Sequence, residues 1–279
     1  MMINRRQWLA GGAALATTLA AGPLAARSLK AKPIGIQLYT LRDLFTADPM
    51  ATLEKVAAIG YREIEFGGGG YDKLDHAALR KTMDRLGLTC PSLHIGYEAL
   101  ASDFDGSVKM AKTLGADTVV LPWMVPELRN GESWKGAIAN FSLWAGKLKA
   151  AGLGFAYHNH DFEFTVKSEG RSLFDMLVAD TDPALVKIEL DLYWTVAAGE
   201  DAKAVIRRLP GRVYAYHVKD RTGDGKMTSV GAGTIDFADI FTLNKLAGVQ
   251  HFYVENDQSP APYLPDITAS FAALSRLRA

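Results

Sequence analysis

The stretch "AGLGFAYHNHDF", residues 151–162, contains the unit from which the fold can be read. Gly152 stands where a helix would end, because glycine readily adopts the left-handed conformation found there. The apolar run "LGFAY" that follows is typical of a buried strand. This strand is followed by three polar side chains in succession, His158, Asn159 and His160. A helix end, a glycine, a buried strand and a polar strand end together indicate one repeat of an α/β fold.

The same order recurs from Lys32 to the C-terminus, where apolar runs alternate with helical patterns eight times. Glycines again stand between a helical pattern and the next strand, at Gly60, Gly87, Gly115 and Gly248. Repeated βα units give parallel strands, and eight of them can close into a barrel. An open doubly wound sheet would place a Gly-rich phosphate turn after its first strand, and "QLYTLRD" contains none. The sequence therefore predicts a single-domain (β/α)8 TIM barrel over residues 32–279.

The first 31 residues are of a different kind. Arg5 and Arg6 precede Trp8 and Leu9, and an uncharged stretch rich in glycine and alanine follows. This order predicts a cleavable signal peptide of the twin-arginine type over residues 1–31, with export by the twin-arginine machinery to the periplasm or beyond. The stretch is too short and too rich in small residues for a stable membrane anchor. An ordinary secretory signal or a basic N-terminal tail is the alternative.

Charge and cysteine content exclude several classes of function. The 31 basic and 31 acidic side chains give a net charge of zero, which argues against nucleic acid as a partner. The single cysteine, Cys90, excludes a disulfide within the chain and a zinc site built on thiolates.

In a (β/α)8 barrel the active site lies at the C-terminal ends of the strands. The predicted strand ends carry aromatic, imidazole and carboxylate side chains, and strands five to eight each supply an imidazole or a carboxylate. Such donors suit Mn, Zn, Fe or Co ions with positions open for substrate. Alternation along a strand places Glu189 and Asp191 on one face, and likewise His217 and Lys219, and Glu255 and Asp257. It therefore does not separate metal ligands from their neighbours.

Six segments in this order resemble the xylose-isomerase-like barrel superfamily, often called sugar phosphate isomerase/epimerase. They are "IGIQLYTLRD", "YHNHDFEF", "ELDLYWTVAAGEDA", "LPGRVYAYHVKD", "VGAGTIDF" and "YVEND". The resemblance implies one divalent metal ion (Mn, Zn, Co, Mg or Fe) held by His158, Asp191, His217 and Glu255. His158 stands where the family has a glutamate. Glu163 is expected to orient a ligand histidine.

The resemblance implies a sugar isomerase or epimerase that removes a proton next to a carbonyl and forms a metal-stabilised enediolate. Glu255 is the expected base, with His160 and Lys219 as further acid or base groups. The expected contacts to a small carbohydrate are Tyr39, Glu65, His94, Trp123 and Trp194. Homo-oligomers are common in the family, although no residue of this sequence indicates one.

The histidine at position 158 leaves other functions open. Epimerases of the family transfer protons between two metal-bound glutamates, and one of that pair is missing from this sequence. The segment "YHNHDFEF" also resembles a branch of the superfamily whose members include lyases and hydratases acting on 3-keto-glycosides, and this resemblance implies the alternative enzyme. Elimination of this kind needs one base and one acid. A sugar-binding protein without turnover is the third possibility. The site residues and the reaction therefore depend on which side chains the barrel brings together.

Overall fold

The computed structural model describes residues 32–277, and its centre is a closed barrel of eight parallel strands. Each strand pairs with the strands before and after it along the chain, and the first pairs with the last. The strands are β1 (Gly35–Gln37), β2 (Glu63–Phe66), β3 (Thr89–His94), β4 (Thr118–Leu121), β5 (Gly154–His158), β6 (Val186–Asp191), β7 (Val213–Val218) and β8 (His251–Val254). The predicted (β/α)8 TIM barrel is confirmed.

Helices surround the barrel and follow its strands. Several begin at an aspartate or asparagine that caps free backbone N–H groups, such as Asp48, Asp75 and Asn130. Gly87, Gly115 and Gly248 end three helices in the left-handed conformation, as the sequence predicted. The α-helices are Arg42–Ala47, Pro49–Ile59, His76–Leu86, Tyr97–Ser102, Phe104–Leu114, Gly131–Ala150, Phe162–Thr165, Leu173–Ala179, Leu192–Ala197, Ala202–Arg207, Phe237–Phe241, Asn244–Ala247 and Leu264–Leu277. Short 3₁₀ helices span Leu38–Leu41, Tyr71–Lys73 and Pro126–Leu128.

Two antiparallel ribbons of two residues per strand lie in loops that follow β5 and β7. One joins Lys167–Ser168 to Arg171–Ser172, and the other joins Asp220–Arg221 to Met227–Thr228. Both lie outside the barrel sheet, so they leave its closure unchanged.

The buried apolar residues form a large core cluster and a second, smaller one. The smaller cluster contains Val120, Ala156, Tyr214, Ala215 and Tyr253, which come from four of the barrel strands. Gly35 on β1 faces the ring of Tyr253 so closely that an added Cβ would overlap it. This tight packing helps to fill the interior of the barrel with side chains.

Strands β1 and β5 end where their polar residues begin. Strand β1 ends at Gln37, because the Gln37 side chain accepts a hydrogen bond from Tyr39 N at 2.7 Å and starts a 3₁₀ helix. Strand β5 ends at His158, so His160 lies in the following turn rather than on the strand. Tyr39 and His160 nevertheless stay beside the cavity described below.

The predicted signal peptide, residues 1–31, lies outside the described residues, so export stays a prediction. Within the described part of the chain, no helix combines the length and the apolar character that crossing a bilayer requires.

Candidate active site

A carboxylate oxygen of Glu189 lies at the centre of the buried end of the site. Glu189 Oε2 is 2.9 Å from His94 Nε2, 3.2 Å from His158 Nδ1 and 3.0 Å from His217 Nε2. Glu65 Oε2 lies 3.0 Å from His94 Nε2 and 2.8 Å from His217 Nε2. Barrel closure thus brings two carboxylates and three imidazoles from five different strands into one network.

Gln37 assigns the proton of His94. Gln37 Oε1 accepts from Tyr39 N, so Gln37 Nε2 faces His94 Nδ1 at 3.1 Å and donates to it. His94 therefore carries its proton on Nε2 and donates it to the two glutamates. The orientation of the His94 imidazole is fixed at both nitrogens. Burial lowers the pKa of His94, but Glu65 and Glu189 outweigh it and raise the pKa to about 9.

His158 is neutral, and its Nε2, the nitrogen that carries the lone pair, points toward Asp191. Burial, together with the nearby His217, lowers the pKa of His158 well below its usual value. The Nδ1–H group of His158 donates to Glu189, so Nε2 carries the lone pair. This Nε2 lies 3.7 Å from Asp191 Oδ2. A lone pair and a carboxylate oxygen at this separation leave room for a cation between them.

His217 carries a full positive charge in this arrangement. Its Nδ1 is 2.6 Å from Glu255 Oε2, and its Nε2 faces Glu65 and Glu189. Burial lowers the pKa of His217, but Glu189 and Glu255 outweigh it and hold the pKa well above its usual value. Both nitrogens therefore donate to carboxylates.

Lys219 is the second buried cation, and it contacts three carboxylates. Its Nζ lies 2.7 Å from Glu255 Oε2, 3.0 Å from Asp191 Oδ2 and 3.0 Å from Asp257 Oδ1. These carboxylates outweigh burial and raise the pKa of Lys219 well above its usual value. Burial opposes ionisation of Glu255, but Lys219 and His217 hold its pKa well below the usual range. Lys219 and Glu255 are therefore a charged pair.

The negative charge of the site is incompletely balanced. Glu189 Oε1 and Asp191 Oδ2 are buried and accept no hydrogen bond from the described residues. Lys219 Nζ lies 3.0 Å from Asp191 Oδ2 and forms an ion pair with it, without hydrogen-bond geometry. Burial raises the pKa of Asp191 to about 6 and also raises that of Asp257. His94, His217 and Lys219 are the basic groups that face the five carboxylates of the site, Glu65, Glu189, Asp191, Glu255 and Asp257.

These donors fit a divalent metal ion. The ligand atoms of Asp191, His217 and Glu255 lie within 4.8 Å of one another, and so do those of a second group, His94, His158, Glu189 and His217. Imidazole and carboxylate suit Zn, Mn, Fe and Co. All four metal ligands predicted from the sequence belong to one group or the other. Their binding of an ion stays a prediction.

A cavity of about 670 Å³ opens above this network. Its inner wall includes His94, His158, His160, Lys219 and Glu255, and Asp257 lies beside them. The rest of its lining is largely apolar and includes Tyr39, Tyr71, Ile95, Met110 and Trp123. The predicted catalytic residues Glu255, His160 and Lys219 therefore share one cavity with three predicted substrate contacts, Tyr39, His94 and Trp123.

The two other predicted substrate contacts lie off the cavity wall. Glu65 is completely buried, and its oxygens are occupied by Ser92, His94 and His217. Trp194 lies in the helix Leu192–Ala197 and packs its ring 5.4 Å from that of His160. The structure thus gives Glu65 and Trp194 positions that support polar residues of the site.

Glu163 does not orient a ligand histidine, contrary to the sequence expectation. Its carboxylate accepts from Tyr157 OH at 2.6 Å and from the backbone N of His160 at 2.7 Å. Burial raises the pKa of Glu163 to about 8. Glu163 fixes the turn after β5, and Glu189 orients the imidazoles of His158 and His217 instead. A carboxylate behind a ligand histidine is the usual arrangement in metal sites.

Sequence reasoning left three residues out of the site. Glu189 binds the imidazoles, Asp257 binds Lys219, and Gln37 fixes His94. The alternation of side chains along the strands places Glu189 on the same face as Asp191, and Asp257 on the same face as Glu255. This pattern could have identified Glu189 and Asp257 as residues of the site. Gln37 stood at a predicted strand end, but its partner His94 lies on a different strand and is reached only when the barrel closes.

The family comparison agrees with this architecture. A model of the xylose isomerase-like TIM barrel family matches residues 53–266. The chain is similar to the inosose dehydratase of Clostridium perfringens (strain ATCC 13124), with 29% identity over 153 residues, 47% of this chain and 50% of that protein. It is also similar to the inosose dehydratase of Bacillus anthracis, with 30% identity over 151 residues, 47% and 49% of the two chains. These matches span about half the length of the curated relatives.

Solved structures match over nearly the whole chain. A sugar phosphate isomerase/epimerase from Parabacteroides distasonis ATCC 8503 has a TM-score of 0.75 and 25% identity, covering 89% of this chain and 100% of that one. The IolI protein with a bound zinc atom has a TM-score of 0.68 and 17% identity, covering 88% and 97%, which shows the fold alone. The family match and the closed eight-stranded barrel agree, and the chain belongs to the xylose isomerase-like TIM barrel family.

Proposed function

We propose that this protein is a metal-dependent lyase that removes a proton next to the carbonyl of a keto-sugar and expels the substituent on the adjacent carbon. One observation carries the proposal. Glu255, Asp257 and the Lys219 ammonium lie together on one side of the cavity, after β7 and β8. The opposite side, at the ends of β3 and β5, presents the imidazoles of His94 and His158.

This distribution supports elimination over two-base epimerisation. Inverting a carbon requires a group on the opposite face that can return a proton. His158 and His160 are poor proton donors there, since burial lowers the pKa of His158 well below its usual value and that of His160 to about 3. His94 Nε2 is directed to Glu65 and Glu189. A further carboxylate, Asp72, is exposed at the outer end of the cavity. A base and a charged acid on one side suit elimination from a single face.

The metal ion is proposed to bind His158, Asp191, His217 and Glu255. The lone pair of His158 Nε2 lies 3.7 Å from Asp191 Oδ2, which accepts no hydrogen bond from the described residues. Glu189 accepts from both histidines and so turns their other nitrogens toward the ligand carboxylates. When bound, the ion would act as a Lewis acid that polarises the substrate carbonyl.

The protein side chains then carry the protons. A carboxylate of the Glu255–Asp257 pair takes the proton next to the carbonyl, and the bond from the adjacent carbon to its oxygen substituent breaks. Lys219 donates a proton to the departing oxygen, leaving a conjugated double bond in the ring. The base then releases the abstracted proton to water, and Lys219 regains a proton from water. This step balances without another reactant.

The size of the cavity supports a glycoside as substrate. At about 30 Å³ per non-hydrogen atom, the share of one water molecule in the liquid, the 12 such atoms of a hexose fill at most roughly 360 Å³. The cavity holds about 670 Å³, and its lining beyond the inner wall is largely apolar. A keto-sugar ring at the inner wall would leave that part for a second unit. The similarity to inosose dehydratases supports the same reaction class.

A direct assay tests the proposal. The metal-loaded protein is incubated with a 3-keto-glucoside that carries a chromogenic phenol, and in parallel with a free ketose. Release of the phenol, dependent on added metal, is expected. Conversion of the free ketose without phenol release would instead support an isomerase or epimerase. That second candidate rests on the full-length match to the Parabacteroides distasonis sugar phosphate isomerase/epimerase.

A further inference from the structure

Lys219 occupies an unusual position for a lysine. Its side chain is 2% exposed, and its Nζ lies within 3.0 Å of oxygens of Asp191, Glu255 and Asp257. Lysine is seldom fully buried unless it is paired. Both Asp257 oxygens are 3.0 Å from the ammonium, so this aspartate holds it most completely. Asp257 is also the least buried of the three carboxylates and faces the cavity.

Two of these partners are proposed metal ligands. Glu255 Oε2 already receives both Lys219 Nζ and His217 Nδ1, and Asp191 Oδ2 has Lys219 as its closest cation among the described residues. A metal ion on the same two oxygens would lie beside the ammonium. Two cations at such a separation in a buried site repel each other strongly. The ion and the ammonium therefore compete for Asp191 and Glu255.

We propose that the Lys219 ammonium fills the metal site in the metal-free protein and is displaced onto Asp257 when a divalent ion binds. This inference rests on the metal site of the proposed function. In the metal-free protein the ammonium prevents repulsion between Asp191 and Glu255. In the metal-bound protein it stays paired with Asp257 on the cavity wall, next to the substrate. Ion binding thus also moves the proton donor toward the cavity.

The test compares metal-depleted wild type with Lys219→Met and Lys219→Arg, titrated with Zn²⁺ and Mn²⁺ by calorimetry. Lys219→Met removes the competing charge and is expected to bind the ion at least ten-fold more tightly. Lys219→Arg keeps the charge and is expected to stay within about three-fold of wild type. Without metal, Lys219→Met should unfold at a lower temperature than wild type, and metal should abolish this difference.

A second measurement uses the wild type alone, in case Lys219→Met does not fold. Acylation of lysine amines, mapped by mass spectrometry, should label Lys219 several-fold faster with metal than without. Two results would overturn the proposed displacement of the ammonium without touching the proposed metal site. They are equal or weaker ion binding by Lys219→Met, and labelling of Lys219 that metal leaves unchanged. If wild type and both variants bind no ion, the metal site of the proposed function fails as well.

Discussion

Glu189 gives the sharpest test of the buried network, because a single oxygen of this residue meets three imidazoles. Glu189→Gln removes the charge and presents only one acceptor oxygen to those rings. Breaking one partner of a buried charged network costs roughly 3–5 kcal/mol. Since about 1 kcal/mol shifts the Tm of a domain of this size by roughly 2–4 °C, we expect a fall in Tm of at least about 6 °C.

Glu63→Gln is the matched control. Glu63 is also a buried glutamate on a barrel strand, but its carboxylate meets a single imidazole, that of His251, at 2.9 Å. We expect this substitution to cost about 1 kcal/mol, typical of one hydrogen bond. Both variants are compared with wild type by calorimetric unfolding in EDTA, which removes bound metal. A Tm for Glu189→Gln no lower than that for Glu63→Gln would refute the central role assigned to Glu189.

Four further results are expected. His217→Ala should fold but bind no metal, and undiminished metal stoichiometry would remove His217 from the ligands. Glu255→Gln should lower solvent-deuterium exchange at the carbon next to the carbonyl at least 100-fold, in line with the loss of a general base; wild-type exchange would make Asp257 the base. Protonated Glu163 stabilises the fold fully below pH 4.5, and this stabilisation is lost as the pH rises to about 8. Between these pH values Glu163→Gln should lose less unfolding free energy than wild type, by at most about 5 kcal/mol. Parallel pH–stability curves of the two proteins would contradict this. Arg5→Lys with Arg6→Lys should block export, and normal periplasmic accumulation would favour the general secretory machinery.

The fold was predictable because its signals are local. Each βα unit carries its own apolar strand, and several units carry a glycine at a helix end, so the barrel can be read one unit at a time. The polar strand ends were predictable for the same reason. Tyr39, His94, Trp123, His158 and Glu255 all lie on the cavity wall.

The partners within the site were not predictable in the same way. Glu189 and Asp191 share one face of β6, but only barrel closure decides that Glu189 reaches the imidazoles while Asp191 meets Lys219. Glu163 was expected behind a histidine ring, yet the turn after β5 directs its carboxylate to a backbone N–H instead. Such choices depend on strand register and on neighbours far apart in the chain.

The most direct test of the account is proton NMR in deuterium oxide, with metal-loaded wild type and a 3-keto-glucoside. Elimination predicts an unsaturated keto-sugar and free aglycone, since the base and the acid lie on one side of the cavity. Recovery of an intact glycoside, deuterated and inverted at the carbon next to the carbonyl, would contradict elimination. That result would require a group across the cavity to return the proton, where the structure places the imidazoles of His94, His158 and His160.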